Sequence, residues 1–101
     1  MSTSATTLDA IRRRLRTELP RLRREYRLRD LEVFGSWVRD EVHADSDLDL
    51  LVTFDETPTL FRFVELENEL ADLLGIRVDL VMRDGLKPAL GERILAEAVS
   101  V

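Results

Sequence analysis

Leu31-Glu-Val-Phe-Gly-Ser36 and, ten residues on, Asp47-Leu-Asp-Leu-Leu-Val-Thr-Phe54 form the stretch on which the fold turns. Leu31 to Phe34 has the composition of a short strand and stops at Gly35-Ser36. Trp37 to Glu41 can form a helical turn, and His43 to Ser46 reads as a loop. Leu48 to Phe54 is rich in Leu and Val between polar flanks, the signature of a buried strand.

Working outward toward residue 1, Leu8, Ile11, Leu15, Leu19, Leu22 and Tyr26 recur at helical spacing, with Thr6 as candidate N-cap and Asp9 three residues on. Pro20 inside this pattern predicts a kink or two short helices. Arg12, Arg16, Arg23 and Arg27 fall on a stripe beside the apolar face, either a solvated surface or a contact for an acidic partner. Toward residue 101, Thr57 as cap and Pro58 in the first turn start a helix whose stripe Phe61, Val64, Leu66, Leu70, Leu73 and Leu74 reads as core; Gly75 ends it. Ile76 to Met82 alternates as a strand, and Pro88 to Ala98 closes as a helix. The order is α-β-α-β-α-β-α, without repeat or linker, and a single domain is expected over 1–101.

Composition narrows the chemistry. The chain has 101 residues, no Cys and one His, His43. Thiol catalysis, thiolate metal centres and a disulfide framework are excluded, as is a His-rich metal site. His43 reads as a polar loop residue. No apolar run approaches the ~20 residues of a membrane helix, and no basic-then-apolar leader is present, so a soluble cytoplasmic protein is expected. The net charge of −5 hides a division. Residues 1–30 hold nine Arg against four acids, +5, and residues 31–101 hold six basic and sixteen acidic residues, −10. The acidic part argues against binding a phosphate backbone, and no nucleic-acid partner is expected.

Residues two apart on a strand share a face, so Asp47 and Asp49 present two carboxylates together. Paired like charges are costly unless a cation sits between them, and hard oxygen donors suit Mg²⁺ or Mn²⁺. In the third strand Ile76, Val78 and Leu80 take one face and Arg77, Asp79 and Val81 the other. Asp79 stands amid apolar neighbours, where an unpaired charge is expensive. If that strand neighbours the second in register, Asp79 becomes a third ligand, and three carboxylates can hold two metals ~4 Å apart around a phosphoryl group. If the first two strands are antiparallel neighbours, Gly35 and Ser36 meet the same acids. Gly35 then leaves room for a phosphate, Ser36 offers a hydroxyl and free N–H groups, and Arg39 can pair with outer phosphates of a nucleoside triphosphate. A surface ion pair with Asp40 or Asp45 is the plainer role for Arg39, and core packing the plainer one for Trp37, with base stacking the alternative.

Gly35-Ser36-x10-Asp47-x-Asp49 with Asp79 on a later strand resembles the DNA polymerase β-type nucleotidyltransferase superfamily. Within it, Phe34-Gly-Ser-Trp-Val-Arg39, Ser46-Asp-Leu-Asp-Leu-Leu-Val52 and Val78-Asp-Leu-Val81 resemble the minimal nucleotidyltransferases (MNT, MntA-type), across roughly residues 31–101. The resemblance implies a mixed-sheet α/β (α+β) fold, two Mg²⁺ ions and transfer of a nucleotide from ATP. It implies that Asp47 and Asp49 bind both metals, that Asp79 completes the catalytic one and acts as general base, and that Gly35-Ser36 holds the triphosphate. Members of this family commonly pair with a HEPN-domain ribonuclease toxin and act as its antitoxin by adding AMP to a tyrosine. The chain departs from the family at Asp40, where Gly is usual, and at Trp37, a bulky neighbour for a phosphate loop. Two other functions fit the same residues: an antitoxin that neutralises its partner sterically, and a small-molecule nucleotidyltransferase completed by a partner subunit.

Overall fold

A computed structural model describes residues 7–42 and 46–101. The antiparallel pair expected around Gly35 forms its centre. Strand β1 (Leu28–Phe34) runs beside β2 (Leu48–Phe54), with Val33 opposite Leu50 and Phe34 opposite Asp49. The chain then rises through helix α3 (Leu60–Leu74) and returns as β3 (Val78–Met82), parallel to β2 with Asp49 opposite Asp79. A two-residue strand β4 (Val99–Ser100) pairs with the free edge of β1, giving the order β3-β2-β1-β4. The sheet is mixed, as the resemblance implied.

The two faces of the sheet are covered unequally. On one, Leu31, Val33, Leu48, Leu50, Val52 and Leu80 pack beneath helix α1 (Leu8–Tyr26) and α3, whose Ile11, Leu15, Leu22, Leu66 and Leu70 are wholly buried. On the other, Phe34 and Leu51 meet only Ile94 of α4 (Pro88–Glu97), with Val81, Leu86 and Ala98 at the margin. Alternation along β2 and β3 puts Asp47, Asp49 and Asp79 on this second face, beside Leu51 and Val81. A face covered by one ten-residue helix leaves the ends of β2 and β3 open, and the acids lie there.

Several element limits differ from expectation. The cap of α1 is Thr7, whose hydroxyl accepts from Ala10 N; Thr6 lies outside the described residues. Pro20 does not break α1, because Ile11 and Leu15 before it and Leu22 and Tyr26 after it are anchored in the same core. Packing outweighs the lost backbone hydrogen bond. β1 starts at Leu28 rather than Leu31, extended by pairing with Phe54, and the short helix α2 is Ser36–Arg39. α3 begins two residues later than Thr57-Pro58 suggested, with the Thr59 hydroxyl accepting from Arg62 N. Its stripe is correspondingly rotated. Phe61 is 76% exposed and Val64 42%, so neither is core, while Phe63 packs inward one turn before Leu66. β3 starts at Val78 rather than Ile76, and β4 was not anticipated at all.

The Arg stripe of α1 serves neither of its two expected roles alone. Arg12 Nε donates to Ser100 O at 2.8 Å and Arg16 Nε to Val101 O at 2.8 Å, holding β4 against the first helix. Arg23 Nε donates to Arg29 O at 3.0 Å. Farther along, Arg21 and the Tyr26 hydroxyl grip the two oxygens of Glu69 at 2.6 Å each, and the Arg62 guanidinium lies 4.3 Å over the Tyr26 ring. This joins α1 to α3 through a polar clamp at the edge of the core. No helix among the described residues is long and apolar enough to cross a membrane.

Candidate active site

β1 ends where the backbone must turn sharply over β2, and only glycine can make that turn. Gly35 has φ +81° and ψ −151°, a conformation closed to residues with a Cβ, and a Cβ there would run into Asp49 Oδ2. The strand pairing thus brings the Gly-Ser turn onto the second carboxylate of the Asp-x-Asp motif. Gly35 O then accepts from Val38 N and Arg39 N, so that α2 projects Arg39 back over the cleft.

The acids gather by register. Asp49 and Asp79 are direct partners across the parallel ladder, and Asp47 lies two residues earlier on the same face. Burial pushes the Asp49 carboxyl up to about 6, and the charges of Asp79 and then Asp47 push the same way, only partly relieved by Arg39. Asp47 turns Oδ1 to Arg77 Nε at 3.0 Å. Among the described residues no three acidic or histidine side chains converge tightly enough, as they stand, to hold a metal ion. The donor set nevertheless suits one in kind: two carboxylates in register on neighbouring strands and a third, Asp47, just before β2, with the half-buried Asp49 already opposed by the charge of the other two. Asp79 is exposed rather than sunk among apolar neighbours, because β3 is the sheet edge.

Beside the acids is a cleft of about 290 Å³ lined by Phe34, Gly35, Arg39, Asp49, Leu90, Arg93, Ile94 and Glu97. Among the described residues Arg39 does not pair with Asp40, one of the two partners weighed for it in the sequence. It binds Glu41 at 2.9 Å and Glu97 at 3.0 Å; Asp45, like His43, lies outside the described residues. Trp37 packs on the main core and takes no part in lining the cleft. Sequence reasoning missed Glu97, whose Oε2 accepts from Gly35 N at 2.7 Å. A signal was present: an acid in the last turn of a helix opposes the helix dipole and calls for a cationic partner.

The pairing of β1 with β2 sets Gly35 against Asp49, and Asp79 stands in register with Asp49 on the next strand, the strand neighbours that the motif called for. Residues 12–101 match the family model described as the nucleotidyltransferase domain. The chain belongs to the nucleotidyltransferase family. A protein adenylyltransferase, MntA, of Thermococcus cleftensis is 46% identical over 95 residues, covering 94% of this chain and 96% of the relative. The solved structure of a minimal nucleotidyltransferase superposes with a TM-score of 0.82 at 41% identity, covering 98% of this chain and all of the other. A toxin–antitoxin structure with AMP-PNP aligns with a TM-score of 0.69 at 26% identity, over 83% of this chain and 69% of that one. The Asp40 departure acquires a physical meaning within this nucleotidyltransferase. Asp40 caps α2 at φ +60°, where glycine is the unstrained choice and Asp among the better substitutes.

Proposed function

We infer that this nucleotidyltransferase moves AMP from ATP onto a protein hydroxyl, a tyrosine of a HEPN-type ribonuclease toxin with which it forms a hetero-oligomer, and so acts as the antitoxin. The reading rests on the register of Asp49 with Asp79 beneath the Gly35 turn. Its acceptor class is supported by the protein adenylyltransferase relative and by the toxin–antitoxin likeness with AMP-PNP.

Asp47, Asp49 and Asp79 would hold two Mg²⁺ ions, with Mn²⁺ able to substitute, and such ions neutralise phosphate charge and align the reacting oxygens. Gly35 and Ser36 receive the triphosphate, with Arg39 on its outer phosphates. The acceptor O–H attacks the α-phosphorus, its proton passes to the Asp79 carboxylate, and the bond to the β-phosphate oxygen breaks to release pyrophosphate. The exposure of Asp79 on an edge strand suits an acceptor delivered by a second protein.

The test is label transfer. The chain, Mg²⁺ and ATP labelled at the α-phosphate are incubated with the product of a neighbouring HEPN-type gene. Label on a tyrosine of that product, lost in Asp47→Ala/Asp49→Ala, is the expected result. No transfer by the wild type, with full neutralisation of the toxin by the double variant, would favour steric inhibition instead.

A further inference from the structure

We propose that Glu97 is an internal stand-in for the nucleotide's phosphates, occupying the anion subsite of this enzyme until a triphosphate displaces it. Glu97 Oε2 accepts from Gly35 N at 2.7 Å, and both its oxygens receive Arg39 Nη1, at 3.0 and 3.1 Å. A backbone N–H at a glycine turn together with a guanidinium is the donor pair that a phosphate oxygen would use. Here one carboxylate takes both. It does so from the side of the cleft, as a lining residue with a side chain only 26% exposed.

The electrostatics forbid simultaneous occupation. Glu97 already adds to the repulsion felt by Asp49, and a triphosphate placed on Gly35 and Arg39 would meet the Glu97 carboxylate at contact range. Phosphate must therefore take Arg39 and the Gly35 N–H away from Glu97. An anion tethered to the same chain competes at a high effective concentration, so it lowers the affinity of the site for phosphate groups. The displaced residue is the last of α4 and is followed directly by Ala98 and β4, which gives the arrival of the nucleotide a mechanical connection to the strand pairing on β1.

This inference rests on the nucleotidyltransferase reading of the cleft, and calorimetry on the full chain separates the two. Mg²⁺-ATP, inorganic tripolyphosphate and adenosine are titrated into the wild type, Glu97→Gln and Glu97→Ala. Removing a charge-assisted competitor should tighten ATP and tripolyphosphate about tenfold in both variants and leave adenosine unchanged. A Glu97 that merely braces the turn would give the opposite sign, weaker binding in both variants. Unchanged or weaker phosphate binding, or an equal gain for adenosine, overturns the proposal while wild-type ATP binding leaves the enzyme reading standing. Failure of wild type and variants alike to bind either phosphate ligand overturns both. Should Glu97→Ala not fold, Glu97→Gln keeps the shape and Glu97→Asp, set back by one methylene from Gly35 N, is expected to shift in the same direction.

Discussion

Replacing Gly35 by alanine should be the most damaging single-methyl change in the chain. Two costs coincide there. The backbone at φ +81°, ψ −151° lies in a region essentially reserved for glycine, and the new Cβ meets Asp49 Oδ2, a side chain held between Gly35 and its neighbours on β3. Backbone strain of this kind costs about 1–3 kcal/mol, and moving the carboxylate raises the total toward ~3 kcal/mol. For about 100 residues that lowers the melting midpoint by roughly 12–24 °C. Two of the other glycines supply internal standards. Gly75 has φ +70° but open space around a Cβ, so Gly75→Ala isolates the backbone strain at about 1 kcal/mol. Gly85 has open space around its Cβ and no positive φ, so Gly85→Ala should stay within ~0.5 kcal/mol of wild type. Circular-dichroism melts in metal-free buffer rank the three, and label transfer measures the consequence for the site. If Gly35→Ala melts with Gly85→Ala and still transfers AMP, the Gly35–Asp49 contact is not what shapes the site.

Three further outcomes follow from the same geometry. Asp49 has its carboxyl raised to about 6 in the fold, so at this group the folded state binds a proton more tightly than the unfolded one; its own contribution to stability is fullest below pH ~4 and is lost as pH rises through 6. Asp49→Asn should therefore stabilise the metal-free chain at pH 7 by about 1 kcal/mol, after discounting for a half-open site, and raise its melting midpoint accordingly, while abolishing transfer. A lower midpoint would contradict it. Burial pulls the Glu69 carboxyl upward, but the Tyr26 hydroxyl and Arg21 outweigh this and hold it below its usual range. Its contribution is present at neutral pH and lost on acidification below ~4.5, so Glu69→Gln should cost about 1 kcal/mol at pH 7 in urea melts and flatten the acid limb. Asp40→Gly relieves a left-handed α2 cap and should stabilise by up to about 1 kcal/mol in the same melts, with transfer retained.

Much of the fold was legible because its signals are local. β2 was bounded correctly at Leu48 and Phe54, since its apolar run lies between polar loops, and Gly75 marked the end of α3 through its left-handed cap. What escaped depended on partners far along the chain. Pro20 could sit within a continuous helix only because residues on both sides of it reach one core, and β4 exists only because β1 offers an edge. The site divides in the same way. Gly35 and Asp49 were singled out by spacing, and their approach required only that β1 and β2 be neighbours. Arg39 was identified but its partners were not, because Glu97 approaches from 58 residues away on the opposite side of the cleft.

The bonds from Arg12 to Ser100, Arg16 to Val101 and Gly35 to Glu97 all join early residues to residues 97–101, across separations of up to 88 positions. Ribosomal synthesis runs from residue 1 toward residue 101, so α1 and both central strands emerge before the segment that secures them. A nascent chain can pair β1 with β2 and seat the turn over the acids while the edge of β1 is still bare. The edge is covered, and the arginine of the cleft finds its carboxylate, only when the last of these residues leave the exit tunnel. Premature stops a few codons short of residue 97 would thus release a chain with its acidic motif intact and an unprotected strand edge, a species inclined to pair with other chains rather than to remain alone.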